Sequence, residues 1–587
     1  MMAEIKRQIV QSLEDALGDT KVNVAELMET PSNSSHGDFA FPCFILAKIM
    51  KKSPQMIAED LLSKIKKPEY VSEIKLMGGY INFYVDISKI TEITLNNILS
   101  QGKNYGDSNI GENKFVIVEY SSPNLGKPLH VGHIRSTILG DVVSRVMKKT
   151  GYKVHRMNYL GDIGLHLGKL ITAIQKWGDL EVIEKDPEKE MLRLYVKFGQ
   201  EEKAQSPDVN EMGPPDEDEE EKSNDCEILQ EAKYILKRLE NNDPELMPLW
   251  QQIEKWSMTA FNRVYDLLDV EFDEITGQSK FTAKGKEIVD KAVRKGLTSF
   301  SSNDAIIVDL EQYGLPNKVI LKGDGTALYS TQDLGTAHYR FEKYKFDKSL
   351  YVVANEQSMY FQQLFKMIEL LGNDWAKRCE HFSFGMIFLE EGKMSSREGN
   401  VIFLEDVLKK AVDLARSEIE KRNPDLPNKE EVAKTIGMGA MKYMILKIAP
   451  DKDITFSWEK AMDFEGNSGP YLQYSYARAC SILEKLGNVP ERFDSSLLKS
   501  PQEQNLIKLL SEFPTAVQRA ADNYRLHMLT KYAYDLAVSF NQFYRDIKVL
   551  SADTEAERDS RAALLKAYTI VMENTLDLLG INAPKKM

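Results

Sequence analysis

What the chain lacks narrows it first. Its 587 residues hold only four cysteines, Cys43, Cys226, Cys379 and Cys480, far apart and without metal-ligand spacing. That pattern argues against a disulfide framework or a zinc cluster and suits a reducing compartment, so a cytoplasmic protein is expected. No run of about 18 apolar residues exists, which excludes a membrane-spanning helix. The opening MMAEIKRQIVQSLEDAL lacks the apolar core of a signal peptide and is too acidic for a transit peptide. No internal repeat of fixed period is present. Positive charge is short as well: 76 Lys and Arg face 89 Asp and Glu, for a net charge of −13. That balance disfavours a general polyanion binder. Six of the acids, however, are consecutive (Asp216–Glu221, after Gly-Pro-Pro) and read as a solvated loop, so basic patches remain open elsewhere.

What is present divides the chain into a multidomain α/β protein. Residues 1–110 read as a small α+β domain. A first helix and two further helical stretches precede VSEIKLMGGYINFYVD, two strands around Gly78-Gly79. The polar, glycine-bearing SQGKNYGDSN suits a linker. The apolar FVIV then reads as a strand buried on both faces of a parallel sheet. Behind it, Ile134, Ile138, Val142 and Val146 recur at helical steps, and YKVHRMNYLGD offers the next strand. This βαβ pattern argues for a Rossmann-like parallel sheet over residues 111–400. A charged helical insertion is expected over about 183–275. Strand-like segments return at AIIVDL, KVILKGDGTALYSTQDLG, KSLYVVAN and HFSFGMIFLEEG, and the rest reads as helical, divided into 401–460 and 461–587.

Histidine is scarce, eight in all, yet two lie three positions apart in SSPNLGKPLHVGHIRSTILGD. The segment is neither G-x-G-x-x-G nor a P-loop. It joins the apolar strand to its helix, where doubly wound folds place ligands and a helix start offers free N–H groups. Lys127, His130 and His133 supply donors there; Gly132 leaves room at the helix start. Such a set suits triphosphate oxygens, although a surface turn would also tolerate two histidines. A second short loop, EEGKMSSREGN, carries Lys393, Ser395, Ser396 and Arg397 about 260 residues further on. Its cations and hydroxyls suit a leaving pyrophosphate.

Together HVGH and KMSSR resemble the HIGH and KMSKS signatures of class I aminoacyl-tRNA synthetases. The longer stretches EYSSPNLGKPLHVGHIRSTILGD, NYLGDIGLHLGKL, ALYSTQDLG and GKMSSREGN resemble the arginyl family in particular, and the likeness covers almost the whole chain. It implies ATP-dependent attachment of arginine to tRNA through an adenylate, with magnesium carried by the ATP phosphates and no structural metal. A monomer acting on tRNA, arginine and ATP is expected.

The resemblance also implies site residues. Catalysis falls to His130, His133, Lys393, Ser395, Arg397 and Lys127, and ATP binding to Gly126, His130, Gly132, His133, Met394 and Ser395. A guanidinium substrate calls for carboxylates, since its planar fork is best met by paired acceptors. Glu119 ends the FVIVE strand, and Asp333 lies one helical turn after Tyr329. With Ser122, Pro123, Asn124, His133 and Gln357, these are the arginine-site candidates. Ser396 stands where the signature has a second lysine; either Lys127 supplies that charge from the facing loop, or Arg397 alone suffices. For tRNA, the candidates are Asn82 in the N-terminal domain and Tyr471, Tyr474 and Arg478, which share one helical face in the C-terminal domain. An aromatic core stripe remains the alternative for that face. Other synthetases of the class, such as one for cysteine, would lack the arginine-type residues. A non-catalytic paralogue would be expected to lose the histidines or the lysine loop.

Overall fold

The computed structural model describes the chain apart from residues 1, 21, 32–35, 206–225, 390–402, 488 and 491. The acidic run 216–221 and the loop with Lys393, Met394, Ser395, Ser396 and Arg397 therefore lie outside the described residues.

Five strands form one parallel sheet: β1 (Phe115–Glu119), β2 (Lys153–Leu160), β3 (Glu274–Gly277), β4 (Lys348–Ala354) and β5 (Cys379–Phe384). Their spatial order is β5-β4-β1-β2-β3. The chain builds outward from β1 through β2 and β3, then returns to the other side of β1 for β4 and β5. That reversal opens a crevice above the carboxyl ends of β1 and β4, the usual ligand position in such sheets. The apolar run of β1 explains its central place. Val116 and Val118 join one core, Ile117 joins the other, and all three are fully buried. Alternate side chains of a strand point to opposite faces, so a strand covered on both must be apolar throughout.

The helices that matter for the site are α1 (Val131–Lys149), α2 (Leu165–Trp177), α3 (Pro187–Gln205), α4 (Met247–Leu268), α5 (Tyr329–Tyr344), α6 (Ser358–Leu370) and α7 (Gly469–Leu486). Ile134, Ile138, Val142 and Val146 of α1 are all buried, as their spacing predicts. The N-terminal hairpin pairs Val71–Met77 with Tyr80–Val85 through Gly78 and Gly79, both at positive φ. Only such a turn matches the twist of the flanking strands.

Several expectations need correction. GDFAFP contributes a strand, Phe39–Pro42, which completes a three-stranded antiparallel sheet. AIIVDL and KVIL form a separate antiparallel sheet with Thr298–Phe300 and do not extend the parallel one. The region after residue 400 includes one short strand, Ile454–Phe456, parallel to Ile387–Leu389. The linker is no free tether: Tyr105 is buried, stacks on Phe513 and donates to the Leu510 carbonyl at 3.1 Å. The segment read as an insertion is helical, but it ends inside β3, and α4 is bonded directly to the loop after β1.

Candidate active site

The loop after β1 is built on strained backbone. Ser121 and Ser122 follow one another at φ +70° and +47°, though neither is glycine. Each such residue costs on the order of 1–3 kcal/mol and persists only where its surroundings over-determine it. Here they do. Ser136 Oγ accepts the Ser121 N–H at 3.0 Å, and Asn158 Oδ1 accepts that of Ser122 at 3.1 Å. The Ser121 hydroxyl meets Tyr265 Oη of α4 at 2.8 Å and accepts from Thr137 at 3.0 Å. Asn158 Nδ2 also donates to Tyr265, closing the network. The Ser122 hydroxyl is buried with no partner among the described residues.

Pro123 and Asn124 then run beside the end of β2. Pro123 O accepts the Gly161 N–H, and Gly161 O accepts that of Leu125, both at 3.0 Å. A Cβ on Gly161 would lie 1.8 Å from Asn124 Oδ1, so only glycine leaves that amide its place. Gly126, at φ +75°, donates its N–H to Ser257 of α4 at 2.9 Å. Asn124, Lys127, Pro128, His130 and His133 line one cleft, with Leu192 and Tyr195 of α3 as its other wall. The Lys127 ammonium lies 4.9 Å from the Tyr195 ring centre.

The two histidines cap α1 with their own rings. His130 Nδ1 accepts the Gly132 N–H at 3.1 Å, and His133 Nδ1 accepts the His130 N–H at 3.2 Å. An imidazole whose Nδ1 accepts carries its proton on Nε2 when neutral. Burial lowers the pKa of both rings below the ordinary histidine value, helped by the Lys127 charge. Both thus carry the proton on Nε2 when neutral, at the positive end of a helix. Gly132 also has a reason within the fold. A Cβ there would lie 2.7 Å from His130 Cε1, so the glycine makes room for the folded-back ring.

Asp333 and Tyr329 lie on the first turns of α5, beside the crevice. Asp333 accepts a hydrogen bond from Tyr360 of α6. Burial pushes its carboxyl up to about 7; the Tyr360 hydrogen bond opposes that shift and the nearby Glu119 charge adds to it. A Cβ on Gly164 would sit 3.6 Å from Tyr329 Oη, which places that phenol beside the loop after β2. Gln357 is exposed just past the end of β4, at the start of α6. Glu119 has another partner: its buried carboxylate is ion-paired with Arg340 of α5.

Relatives say which family this arrangement belongs to. The family described as "tRNA synthetases class I (R), catalytic domain" matches residues 94–458. "Arginyl tRNA synthetase N terminal domain" matches 3–85, and "DALR anticodon binding domain" matches 472–587. An arginine–tRNA ligase of Clostridioides difficile is 42% identical over the full length of both chains. The chain belongs to the arginyl-tRNA synthetase family. A second such ligase, from Halothermothrix orenii, is 41% identical over the same span. The solved arginyl-tRNA synthetase of Thermus thermophilus is 26% identical, covers all of both chains and superposes with a TM-score of 0.81.

In this synthetase fold, the C-terminal helices present the aromatic face that sequence singled out. On α7 the Arg478 guanidinium lies 4.7 Å from the ring centres of Tyr474 and of Tyr544, and Nη1 donates to Asn541 at 2.7 Å. Asn541 in turn donates to the Tyr471 hydroxyl at 2.9 Å. Tyr471, Tyr474 and Arg478 are half-buried and Tyr544 is exposed, so the stripe is neither wholly core nor wholly free. Asn82 is placed differently: it is 2% exposed within the antiparallel sheet, so its amide is not a surface group.

Sequence reasoning passed over Asn158, Tyr265, Tyr195, Tyr360 and Arg340. Two had a signal: Arg340 is two helical turns past Asp333 on one face, and Tyr360 is one turn past Gln357. The others reach the site only through tertiary packing.

Proposed function

We infer that the chain activates L-arginine with ATP and transfers it to tRNA. The arginine carboxylate attacks the α-phosphate, forming arginyl-adenylate and expelling pyrophosphate. The ribose 2′-hydroxyl of the terminal adenosine then takes the arginyl group and releases AMP. The observation that supports this reading is the reversal of strand order at β1 and β4, with the His130–His133 pair starting the helix that follows β1 and the partly buried Tyr329 and Asp333 on the first turns of α5. In this reading Asp333 and Tyr329 hold the guanidinium, Ser122, Asn124 and Gln357 the amino-acid end, and the two imidazoles the phosphates. Catalysis is by positioning and charge stabilisation, without a covalent enzyme intermediate. Magnesium would enter with ATP and would supply charge neutralisation on its phosphates. Tyr474 and Arg478, with the exposed Tyr544, form the proposed stacking surface for unpaired tRNA bases. A monomer working in the cytoplasm completes the reading; among the described residues no helix is long and apolar enough to cross a membrane.

The deciding experiment is tRNA charging with a panel of twenty amino acids. Arginine alone should be attached; charging with another amino acid, or with none, overturns the reading.

Lys127 is proposed to supply the cation that the signature would have at Ser396. It lines the cleft with both histidines. Lys127→Ala should slow adenylate formation by about 10²-fold, the usual effect of removing one preorganised donor. Ser396→Lys should restore part of the rate, because a point charge depends less on its point of attachment than a bidentate pair does. Parental single-turnover rates in Lys127→Ala would assign the pyrophosphate to Lys393 and Arg397 instead.

A further inference from the structure

Arg340 is 1% exposed and among the largest fully buried side chains. It extends from α5 to the centre of the parallel sheet. Its Nη2 meets Glu119 Oε2 at the end of β1. Its guanidinium carbon lies 5.2 Å from the ring centre of Tyr159 on β2 and 5.4 Å from that of Tyr351 on β4. Three adjacent strands each supply one partner, and Glu119 faces Tyr351 directly across the ladder, at the floor of the crevice. Nε and Nη1 have no hydrogen-bond acceptor among the described residues.

Packing does not account for a cation here. Well-packed apolar side chains often match or exceed the stability of a buried ion pair, because two charges must first leave water. The neighbourhood explains it better. Glu119 and Asp333 put two acids in one poorly solvated site, and the Glu119 charge is among the causes that raise the Asp333 carboxyl. With Arg340 between two π faces, the trio carries one net negative charge when both acids are ionised, matching a single incoming guanidinium. Without Arg340, Glu119 would lose the contact that fixes its direction.

We propose that Arg340 is a positioning residue for substrate recognition: it holds Glu119 as an aimed carboxylate beside Asp333. The proposal rests on the reading of the chain as an arginine-activating enzyme. It acts through Glu119, so the two side chains should be coupled.

The test is steady-state charging by the full-length chain, varying arginine and ATP separately. Arg340→Gln should raise the arginine KM at least tenfold and leave the ATP KM within about twofold. Glu119→Gln should do the same, and the double variant should be no worse than either single one. Arg340→Lys keeps the charge but not the planar stacking, so its arginine KM should fall between those of the parent and Arg340→Gln. An unchanged arginine KM, equal changes in both KM values, or additive effects in the double variant would overturn the proposal. If Arg340→Gln does not fold, Arg340→Lys decides: a severalfold rise in the arginine KM alone supports it, and a parental value refutes it. A parent chain that charges tRNA with another amino acid would instead defeat the underlying reading.

Discussion

His133→Ala should slow arginyl-adenylate formation by about 10²–10³-fold while the chain remains folded. Its ring does two things at once: Nδ1 caps the start of α1 through the His130 N–H, and the neutral ring leaves Nε2–H to donate into the cleft. Removing one preorganised donor typically costs this much in rate. His130→Ala should behave alike, since its Nδ1 caps Gly132 in the same manner. The pH dependence has a definite sign. Burial lowers both imidazole pKa values, so the working form is neutral. The stabilisation from the neutral caps is complete above the ordinary histidine value near 6.5. It is lost as pH falls below that value toward the lowered one. At saturating arginine, adenylation should therefore be level above neutrality and decline on acidification. Single-turnover measurement of adenylate formation is the check; near-parental rates in a folded His133→Ala variant would remove the pair from the chemistry.

Asp333→Asn should chiefly destroy arginine recognition. Truncating one partner of a desolvated charge pair costs on the order of 2–5 kcal/mol. At about 1.4 kcal/mol per decade, that is roughly a 30- to 4,000-fold rise in the arginine KM, with ATP much less affected. The carboxyl, raised to about 7 by burial, must be ionised to hold a guanidinium. In the free enzyme it is largely protonated below pH 7 and ionised above it, so the parental arginine KM should fall as pH rises from 6 to 8. In Asp333→Asn that slope should disappear. Equal losses for arginine and ATP in steady-state charging would show that Asp333 serves the fold alone.

The sequence by itself determined the elements whose cause is local. The apolar run Phe115–Val118 could only be a strand covered on both faces, the four-residue spacing from Ile134 to Val146 one buried helical face, and Gly78-Gly79 a tight hairpin. It also placed Asp333 one turn after Tyr329, and His130 and His133 at a helix start. The tertiary structure alone decided what those side chains can do. The protonated nitrogen of each histidine follows from which backbone N–H its ring accepts, and the pKa of Asp333 from its burial and its neighbours Glu119 and Tyr360. Helix α4 bonds the strained serine turn from the far side of a segment that sequence read as an insertion. Asn82, an amide within the otherwise apolar and aromatic Tyr80–Val85, proved buried, because the face a strand residue occupies depends on what packs against it. Glu119 found Arg340 rather than open solvent, since their meeting depends on β1 and α5 being packed together across a long stretch of chain. Periodicity and turn chemistry act over a few residues and are written in order along the chain. Burial, tautomer and ion pairing arise between residues far apart in it, and exist only once the sheet and its helices have closed.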